Sequence, residues 1–260
     1  MKQERATGEI DLLLLCGARP QLLLQTLQSF SHNVFCNFRI LNVFANIDRF
    51  MGDDKEVSEV EALILSYFAK AIIYKSDEPS FTKGVMRLWS LVSTDYCLHL
   101  EDDWVAQSAI SDQTIFPHFK GNVAQVSIAT AEKNWSRGQP YHCKWQRRRI
   151  LGLGLGRSYR HDEPAFTTSP SFISGAFVRM CASLMNPDLD PEKQLNDGSN
   201  AGLRAFVKAY RNRVVGNGAA FLIRDIGRDF RHKQGLEKII IGGQSIWIDG
   251  SSIISDKAAK

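Results

Sequence analysis

The sequence predicts a single α/β domain whose central sheet is mostly parallel and is flanked by helices. The first half of the chain alternates between short apolar runs and stretches with helical periodicity. The apolar runs are nearly unbroken, which is typical of strands buried on both faces of a parallel sheet. This alternation favours a layered fold with helices on both sides of the sheet. With 260 residues, of which 44% are hydrophobic, the chain can bury a substantial core.

The predicted elements alternate regularly in the first hundred residues. Residues 11–16 form the first predicted strand, and Pro20 suits the first position of the helix that follows. Leu23, Leu27 and Phe30 mark the buried face of that helix. The further predicted elements, in chain order, are a strand over residues 39–48, a helix over 57–68, a strand over 71–74, a helix after Thr82 and a strand that ends at residue 101.

The second half of the chain has weaker patterns. Its predicted elements are a strand over residues 123–129, a turn and strand over 169–177, a long helix over 191–210 and, over 246–248, either a closing strand or a partner contact. Gly198 and Gly202 weaken the first half of the long helix. The glycine-rich run over residues 152–157 follows no clear strand and opens no clear helix. It therefore predicts a mobile lid rather than a dinucleotide-binding loop.

Composition narrows the class of protein. The five cysteines are scattered, odd in number and form no Cys-x-x-Cys pair, which favours a reducing compartment and argues against structural zinc. The apolar run near the amino end is too short for a signal core or a membrane span. We therefore expect a cytoplasmic protein without a transmembrane segment. The oligomeric state is left open.

Positive charge is concentrated in one segment. The formal net charge is +4, but residues 133–160 contain eight basic side chains and no acid. The same segment carries Trp135, Tyr141 and Trp145. Cations mixed with aromatic rings are typical of a surface that contacts phosphates or nucleic acid. A solvated loop is the equally weighted alternative.

Three consecutive acids, Glu101, Asp102 and Asp103, follow the fourth predicted strand. Neighbouring carboxylates repel one another and are costly to desolvate, which suggests a compensating divalent cation, Mg²⁺ or Mn²⁺, that would hold phosphates. A solvated acidic turn is the alternative. The loops after the carboxyl ends of parallel strands gather at one edge of a sheet, where ligands bind. Arg19 and Asp48 also follow predicted strands and should lie beside the acids.

Three motifs resemble those of nucleotide-sugar-dependent glycosyltransferases with the GT-A fold, of the family 2 type. They are Cys16-Gly17-Ala18-Arg19-Pro20 before a helix, Asn46-Ile47-Asp48, and Leu100-Glu101-Asp102-Asp103-Trp104 in the place of the family's Asp-x-Asp element. The resemblance spans roughly residues 8–235. It implies a GT-A fold with a nucleotide-sugar-binding half over about residues 8–120, an acceptor-binding half over about 121–238 and a tail over 239–260.

The resemblance also implies roles for single residues. Asp103 becomes the metal ligand, and either Asp102 or Glu101 contacts the ribose. Arg19 and Asp48 would lie beside the nucleobase and ribose. The resemblance also places Lys83 near the diphosphate and leaves either Asp225, His232 or neither as a further metal ligand. In the same late segment, Arg228, Arg231 and Lys233 are suited to neutralise a departing diphosphate. A basic surface turn is the alternative interpretation of this late segment.

An inverting glycosyltransferase needs a base that takes the proton of the acceptor hydroxyl. Our candidate is Glu192, at the start of the long predicted helix and soon after the presumed sugar-facing loop at Ser174 and Gly175. A carboxylate in the first turn of a helix is also ordinary compensation of the helix dipole. The rival bases are Asp188, Asp190, Asp162 and Glu163. A retaining enzyme would need no such base.

The implied donor is a nucleotide diphosphate sugar, with UDP as the expected nucleotide and a hexose or pentose as the sugar. The basic segment would face the acceptor, so DNA or a phosphate-bearing glycan is one acceptor class and a neutral or lipid-linked sugar is the other. A sugar-phosphate nucleotidyltransferase is disfavoured because the turn over residues 17–20 is too short for a glycine-rich phosphate loop. A noncatalytic nucleic-acid-binding protein would leave the three acids without a purpose.

Overall fold

A computed structural model describes residues 8–76, 78–130, 139–150, 153–216, 221–233, 235–241 and 244–249. The strands are β1 Glu9–Cys16, β2 Arg39–Asp48, β3 Ile72–Ser76, β4 Tyr96–Glu101, β5 Trp104–Ala106, β6 Val123–Ile128, β7 Cys143–Ile150, β8 Leu153–Pro164, β9 Ser171–Ser174, β10 Arg211–Val215, β11 Ile223–Asp225, β12 Leu236–Ile241 and β13 Gln244–Asp249. The helices are α1 Pro20–Asn33, α2 Asp54–Tyr67, α3 Phe81–Ser90, α4 Asp112–Ile115, α5 Gly175–Leu184, α6 Pro191–Asn196, α7 Ala201–Val207 and α8 Gly227–Lys233.

Seven strands form the central sheet in the order β10, β6, β9, β4, β1, β2, β3. Six of them run parallel, and β9 is antiparallel to both of its neighbours, β4 and β6. The predicted fold class is confirmed. Its physical basis is visible in β1, where seven successive residues are buried because helices cover both faces of the sheet.

The two faces of β1 contribute to two different cores. Leu12 and Leu14 pack with the buried faces of α1 and α2, whereas Leu13 and Leu15 pack with α3 and α5. Each fully buried leucine contributes roughly 1.5–3 kcal/mol. This two-sided anchoring fixes the register of the strand and therefore the position of the turn that follows Cys16.

Three predicted elements differ from the structure. The predicted helix over residues 191–210 is two helices, because Gly198 has a φ of +87° and Asn200 starts α7 by accepting from the backbone N–H of Leu203. The predicted strand over residues 169–177 ends at Ser174, and Gly175 begins α5. The described part of the predicted lid belongs to strand β8 instead, in a hairpin with β7.

The β7–β8 hairpin is attached to the β10 edge of the sheet. Tyr141 pairs with Arg213 of β10, and the backbone N–H of His142 donates to the carbonyl of Asn212 over 2.8 Å. At the other end of the chain, β12 and β13 form a second hairpin, so residues 246–248 are a strand and the predicted tail begins inside β12.

Candidate functional site

A cavity of about 620 Å³ lies at the carboxyl ends of β1, β2 and β4. Its lining includes the predicted site residues Arg19, Asp48, Lys83, Glu101, Asp102, Asp103, Glu192, Asp225 and Arg231. The sequence-based expectation that Arg19, Asp48 and the three acids converge on one edge is therefore met by the structure.

Arg19 and Asp102 form a buried ion pair at the base of this cavity. The guanidinium donates to both carboxylate oxygens of Asp102, and the backbone N–H of Gly17 donates to Oδ2 over 2.9 Å. Burial raises the pKa of Asp102 to about 6, although Arg19 acts in the opposite direction. Burial also works against the charge on Arg19, but the attraction of Asp102 and Asp103 raises the pKa of the guanidinium. Arg19 is thus a fixed cation.

Asp103 and Asp225 are brought together by the short antiparallel pair β5–β11. Asp225 is paired with Trp104, and the backbone N–H of Ile226 donates to the carbonyl of Asp103 over 2.9 Å. Arg231 donates to Asp103 Oδ2 over 2.8 Å and lies 3.9 Å from Asp225 Oδ2. Burial, then the charge of Asp103, raises the pKa of Asp225. The result is a carboxylate pair with an arginine between its members.

Gly227 allows this close packing. A Cβ atom at this position would overlap the carboxylate of Asp103 and would lie 2.7 Å from Arg231 Nη1. Any larger residue therefore has to move Asp103 or the start of α8.

Asp48 and α3 form a second wall. Asp48 accepts from Asn46 Nδ2 over 2.9 Å and from the backbone N–H of Ser80 over 3.2 Å. Burial raises the pKa of Asp48. Phe81, the first residue of α3, is 39% exposed and lines the cavity together with Lys83.

The third wall contains Glu192, Thr168 and Ser169, and we call the segment of residues 167–169 the strap. Glu192 Oε1 accepts from Thr167 Oγ1 over 2.6 Å and from the backbone N–H of Thr168 over 3.0 Å. The side-chain amide of Gln125 in turn donates to the backbone carbonyl of Thr167 over 2.7 Å and accepts from the backbone N–H of Thr167 over 3.1 Å. Sequence reasoning missed the strap. The sequence feature that corresponds to the strap is the run of small polar residues before the predicted strand. This run indicates a wall of the cavity only when the strand is known to be antiparallel.

The placement of Ser174 and Gly175 in the sugar-binding loop is wrong. Ser174 pairs with Tyr96, the first residue of β4, so both residues lie at the edge of the sheet opposite to Asp103. The cause is the reversed direction of β9, whose start faces the cavity instead of its end. Gly175 packs closely against the carbonyl of Thr94 and thus has a structural role.

The remaining candidates divide clearly. Asp188 and Asp190 line the cavity, whereas Asp162 and Glu163 lie on β8 outside its lining and form ion pairs there. The two rivals on β8 are therefore removed as bases.

The backbone N–H of Arg228 donates to Asp225 Oδ1 over 2.9 Å. His232 lies within α8, but its side chain is outside the described residues.

Several carboxylates line the cavity, among them Asp48, Asp103 and Asp225. Within the part of the chain that the structure describes, no three His, Cys, Asp or Glu residues are grouped as a metal site. In the same part, Arg19 Nη1 is buried without a hydrogen-bond partner and lies 3.3 Å from Asp103 Oδ2. Arg19 is therefore ion-paired with both Asp102 and Asp103, although the geometry of Nη1 toward Asp103 is not that of a hydrogen bond.

Solved structures of glycosyltransferases with the GT-A fold share this architecture. GalNAc-T7 with UDP, GalNAc and Mn²⁺ matches with a TM-score of 0.54 and 9% identity, over 83% of this chain and 43% of that chain. The mannosyltransferase PcManGT from Pyrobaculum calidifontis with GDP-Man and Mn²⁺ gives 0.50 and 8%, over 78% and 54%. S. aureus TarS gives 0.50 and 12%, over 86% and 38%. The chain has a GT-A fold and spans about two fifths to one half of the length of these three proteins.

A nucleotidyl transferase from Methanothermobacter also matches, with a TM-score of only 0.41 and 13% identity, over 79% of this chain and 86% of that chain. No protein-family model matches the sequence, and no curated protein does. Over the described residues, no helix is both long and apolar enough to cross a membrane.

Proposed function

We propose that this protein transfers a sugar from a nucleoside diphosphate sugar to the hydroxyl group of an acceptor. The observation that carries this proposal is the composition of the cavity. One wall combines Asp103, Asp225 and Arg231, which suits a diphosphate and its counter-charges, and another presents the carboxylate of Glu192. The GT-A fold supplies the context, but the assignment depends on these groups.

The donor would lie between β1, β2 and α3. Arg19 and Asp48 flank the expected position of the nucleobase and ribose, and Lys83 stands at the start of α3 for the diphosphate. Of the two ribose candidates we favour Glu101, because the carboxylate of Asp102 is fully buried against Arg19 and Gly17. Asp102 then acts indirectly, by holding Arg19 in place.

Mn²⁺ or Mg²⁺ fits the carboxylate pair. Magnesium is commonly held by one or two carboxylates together with substrate phosphates and water, so Asp103 and Asp225 are a sufficient protein contribution. When bound, the metal would supply electrostatic stabilisation of the leaving diphosphate.

Glu192 is the proposed base for an inverting transfer. It would take the acceptor hydroxyl proton as the hydroxyl oxygen bonds to the anomeric carbon and the bond from that carbon to the diphosphate oxygen breaks. The strap orients the carboxylate through donors to Oε1. Arg231 and Arg228 would balance the charge that develops on the leaving group.

The proposed acceptor surface is the β7–β8 hairpin. Trp145 is 45% exposed and packs edge-on against Tyr159 at a centroid distance of 5.4 Å. An exposed ring in a basic segment suits an acceptor that carries phosphates, either DNA or a phosphate-bearing glycan.

A thermal-shift panel of nucleoside diphosphates with Mn²⁺ tests the donor proposal. At a ligand concentration of about 100 Kd the expected gain is about 2.7 kcal/mol, or roughly 5 °C or more in Tm. Asp103→Ala should abolish the part of the gain that requires Mn²⁺, whereas Asp229→Ala, which changes an exposed acid of α8, should retain it.

A donor-hydrolysis screen across nucleotide sugars then defines the reaction. Release of nucleoside diphosphate supports glycosyl transfer. Release of pyrophosphate from a nucleoside triphosphate and a sugar phosphate would instead establish a nucleotidyltransferase, and nucleic-acid binding without hydrolysis of any donor would establish a noncatalytic protein.

A further inference from the structure

We infer that Arg231 is an exchangeable internal cation: its guanidinium neutralises Asp103 and Asp225 until a divalent metal takes its place, and the released arginine then binds the donor diphosphate. This inference rests on the proposed function for its second half. The first half, competition between Arg231 and a metal for one carboxylate pair, depends only on the geometry of the cluster.

The carboxylate pair is fixed by the backbone. Asp103 ends the turn after β4, and its carbonyl accepts from the backbone N–H of Ile226. Asp225 is held in register by β5–β11 pairing, and the absence of a Cβ at Gly227 lets the Asp103 carboxylate lie against the start of α8. The two carboxylates therefore stay close whichever cation they face.

The pair requires a counter-cation of its own. Arg19 makes two hydrogen bonds to Asp102, and its Nη1 forms an ion pair with Asp103 Oδ2 over 3.3 Å. Arg231 is the cation placed between Asp103 and Asp225. Without it, the buried Asp103 and the partly buried Asp225 would face one another with Arg19, which already neutralises Asp102, as their nearby cation.

The contacts of Arg231 differ from those of Arg19 in a way that favours exchange. The Arg19 side chain is 7% exposed and grips Asp102 with two donors, whereas the Arg231 side chain is 18% exposed and lies on the last turn of a short helix. Its Asp225 contact is an ion pair at 3.9 Å, too long for a hydrogen bond. A divalent ion offers both carboxylates a higher charge at a shorter distance.

Exchange couples the metal to the nucleotide. A nucleoside diphosphate gives the displaced guanidinium a new anionic partner, for which the planar fork of arginine is well suited. Each ligand should therefore strengthen the binding of the other beyond their direct contact.

Mn²⁺ binding, measured by the loss of the free-ion electron paramagnetic resonance signal, tests this. Arg231→Gln should bind Mn²⁺ alone at least ten-fold more tightly than the natural protein, and Arg231→Lys should lie between the two. Arg224→Gln is the matched control, because Arg224 is an exposed arginine next to Asp225. Its Mn²⁺ affinity should stay within about two-fold of the natural value. Asp225→Asn added to Arg231→Gln should remove the gain.

UDP provides the second readout. The increase in Mn²⁺ affinity caused by UDP should be at least three-fold smaller in Arg231→Gln than in the natural protein. An unchanged Mn²⁺ affinity in Arg231→Gln, or a gain no larger than that of Arg224→Gln, overturns the inference. Should Arg231→Gln fail to fold, Arg231→Lys decides in the same way. Should UDP not bind at all, the proposed function fails while the Mn²⁺ comparison still stands.

Discussion

A buried histidine lies beneath the strap and shows how single side chains set the chemistry of the cavity. His99 is fully buried in β4, and its Nδ1 accepts from Trp89 Nε1 over 3.2 Å. This bond requires an unprotonated Nδ1, so the ring is neutral. Burial lowers the pKa of His99 to about 4, although the Thr168 backbone and Glu192 act in the opposite direction.

The lowered pKa of His99 predicts a specific acid sensitivity. Between pH 6.5 and about 4 the histidine is protonated in the unfolded chain but neutral in the folded one, so the contribution of His99 to stability falls as the pH falls through this window, opposite in sign to that of Asp102 with its raised pKa. The full loss is of order 3 kcal/mol. Urea unfolding of the natural protein and of His99→Gln, measured from pH 7 to 4.5, checks it. The slopes of the two proteins should differ by the contribution of His99, with the natural protein losing more stability on acidification than the variant; equal slopes would contradict the assignment.

The three acids show what a local sequence can and cannot specify. Their position at the end of an apolar run predicts that they reach a ligand-binding edge, and they do. Which carboxylate faces the ligand is set by partners distant in the chain, because Asp102 is turned toward Arg19, 83 residues earlier, and Asp103 toward Arg231, 128 residues later. No pattern around residue 102 contains that information.

The strap connects the strands β6 and β9 with the proposed base, Glu192. Gln125 is 1% exposed and satisfies both backbone groups of Thr167, whose hydroxyl donates to Glu192. Gln125 is thus a positioning residue. Changing it would leave buried backbone groups unsatisfied without removing any group that contacts substrate.

Gln125→Leu should cost about 2 kcal/mol or more in the free energy of unfolding. In the donor-to-acceptor transfer assay, kcat should fall roughly ten-fold while the donor KM stays within about two-fold, because a displaced base affects the chemical step rather than donor binding. Gln113→Leu, at an exposed position of α4, is the control for the added leucine. A Gln125→Leu protein with reduced stability but unchanged kcat would show that the strap does not position the base for catalysis.

Elements defined by local periodicity were predictable, and those defined by pairing were not. The strand over 11–16, the helix from Pro20 and the strand over 39–48 all occur as expected. Burial of these elements requires apolar residues at positions that can be recognised in the local sequence. The direction of β9 is a long-range property of its pairing with β4 and β6. Without knowledge of this direction, the sequence places Ser174 and Gly175 at the wrong edge of the sheet and does not indicate that the strap reaches the cavity.

The distribution of charge over the whole chain affects the binding of an acceptor more than the binding of the donor. The net charge is only +4, so a general attraction to polyanions is weak, and any strong attraction has to come from the basic hairpin. That hairpin is joined to β10, whereas the donor-side wall is formed by β1, β2 and α3. In the sheet order, β10 and β3 are the two opposite edges.

A phosphate-bearing acceptor therefore predicts a strong salt dependence of acceptor binding. Three phosphate contacts give a slope of roughly −2.7 in a plot of log K against log salt, so that raising NaCl from 50 to 200 mM should weaken acceptor binding about 40-fold. The donor KM, measured by hydrolysis in the same buffers, should change several-fold less. Lys144→Gln on the hairpin should reduce the slope by about one, whereas Lys70→Gln, an exposed lysine before β3, should leave it unchanged. A slope near zero would assign the hairpin to a neutral acceptor, because uncharged sugars release no counterions on binding.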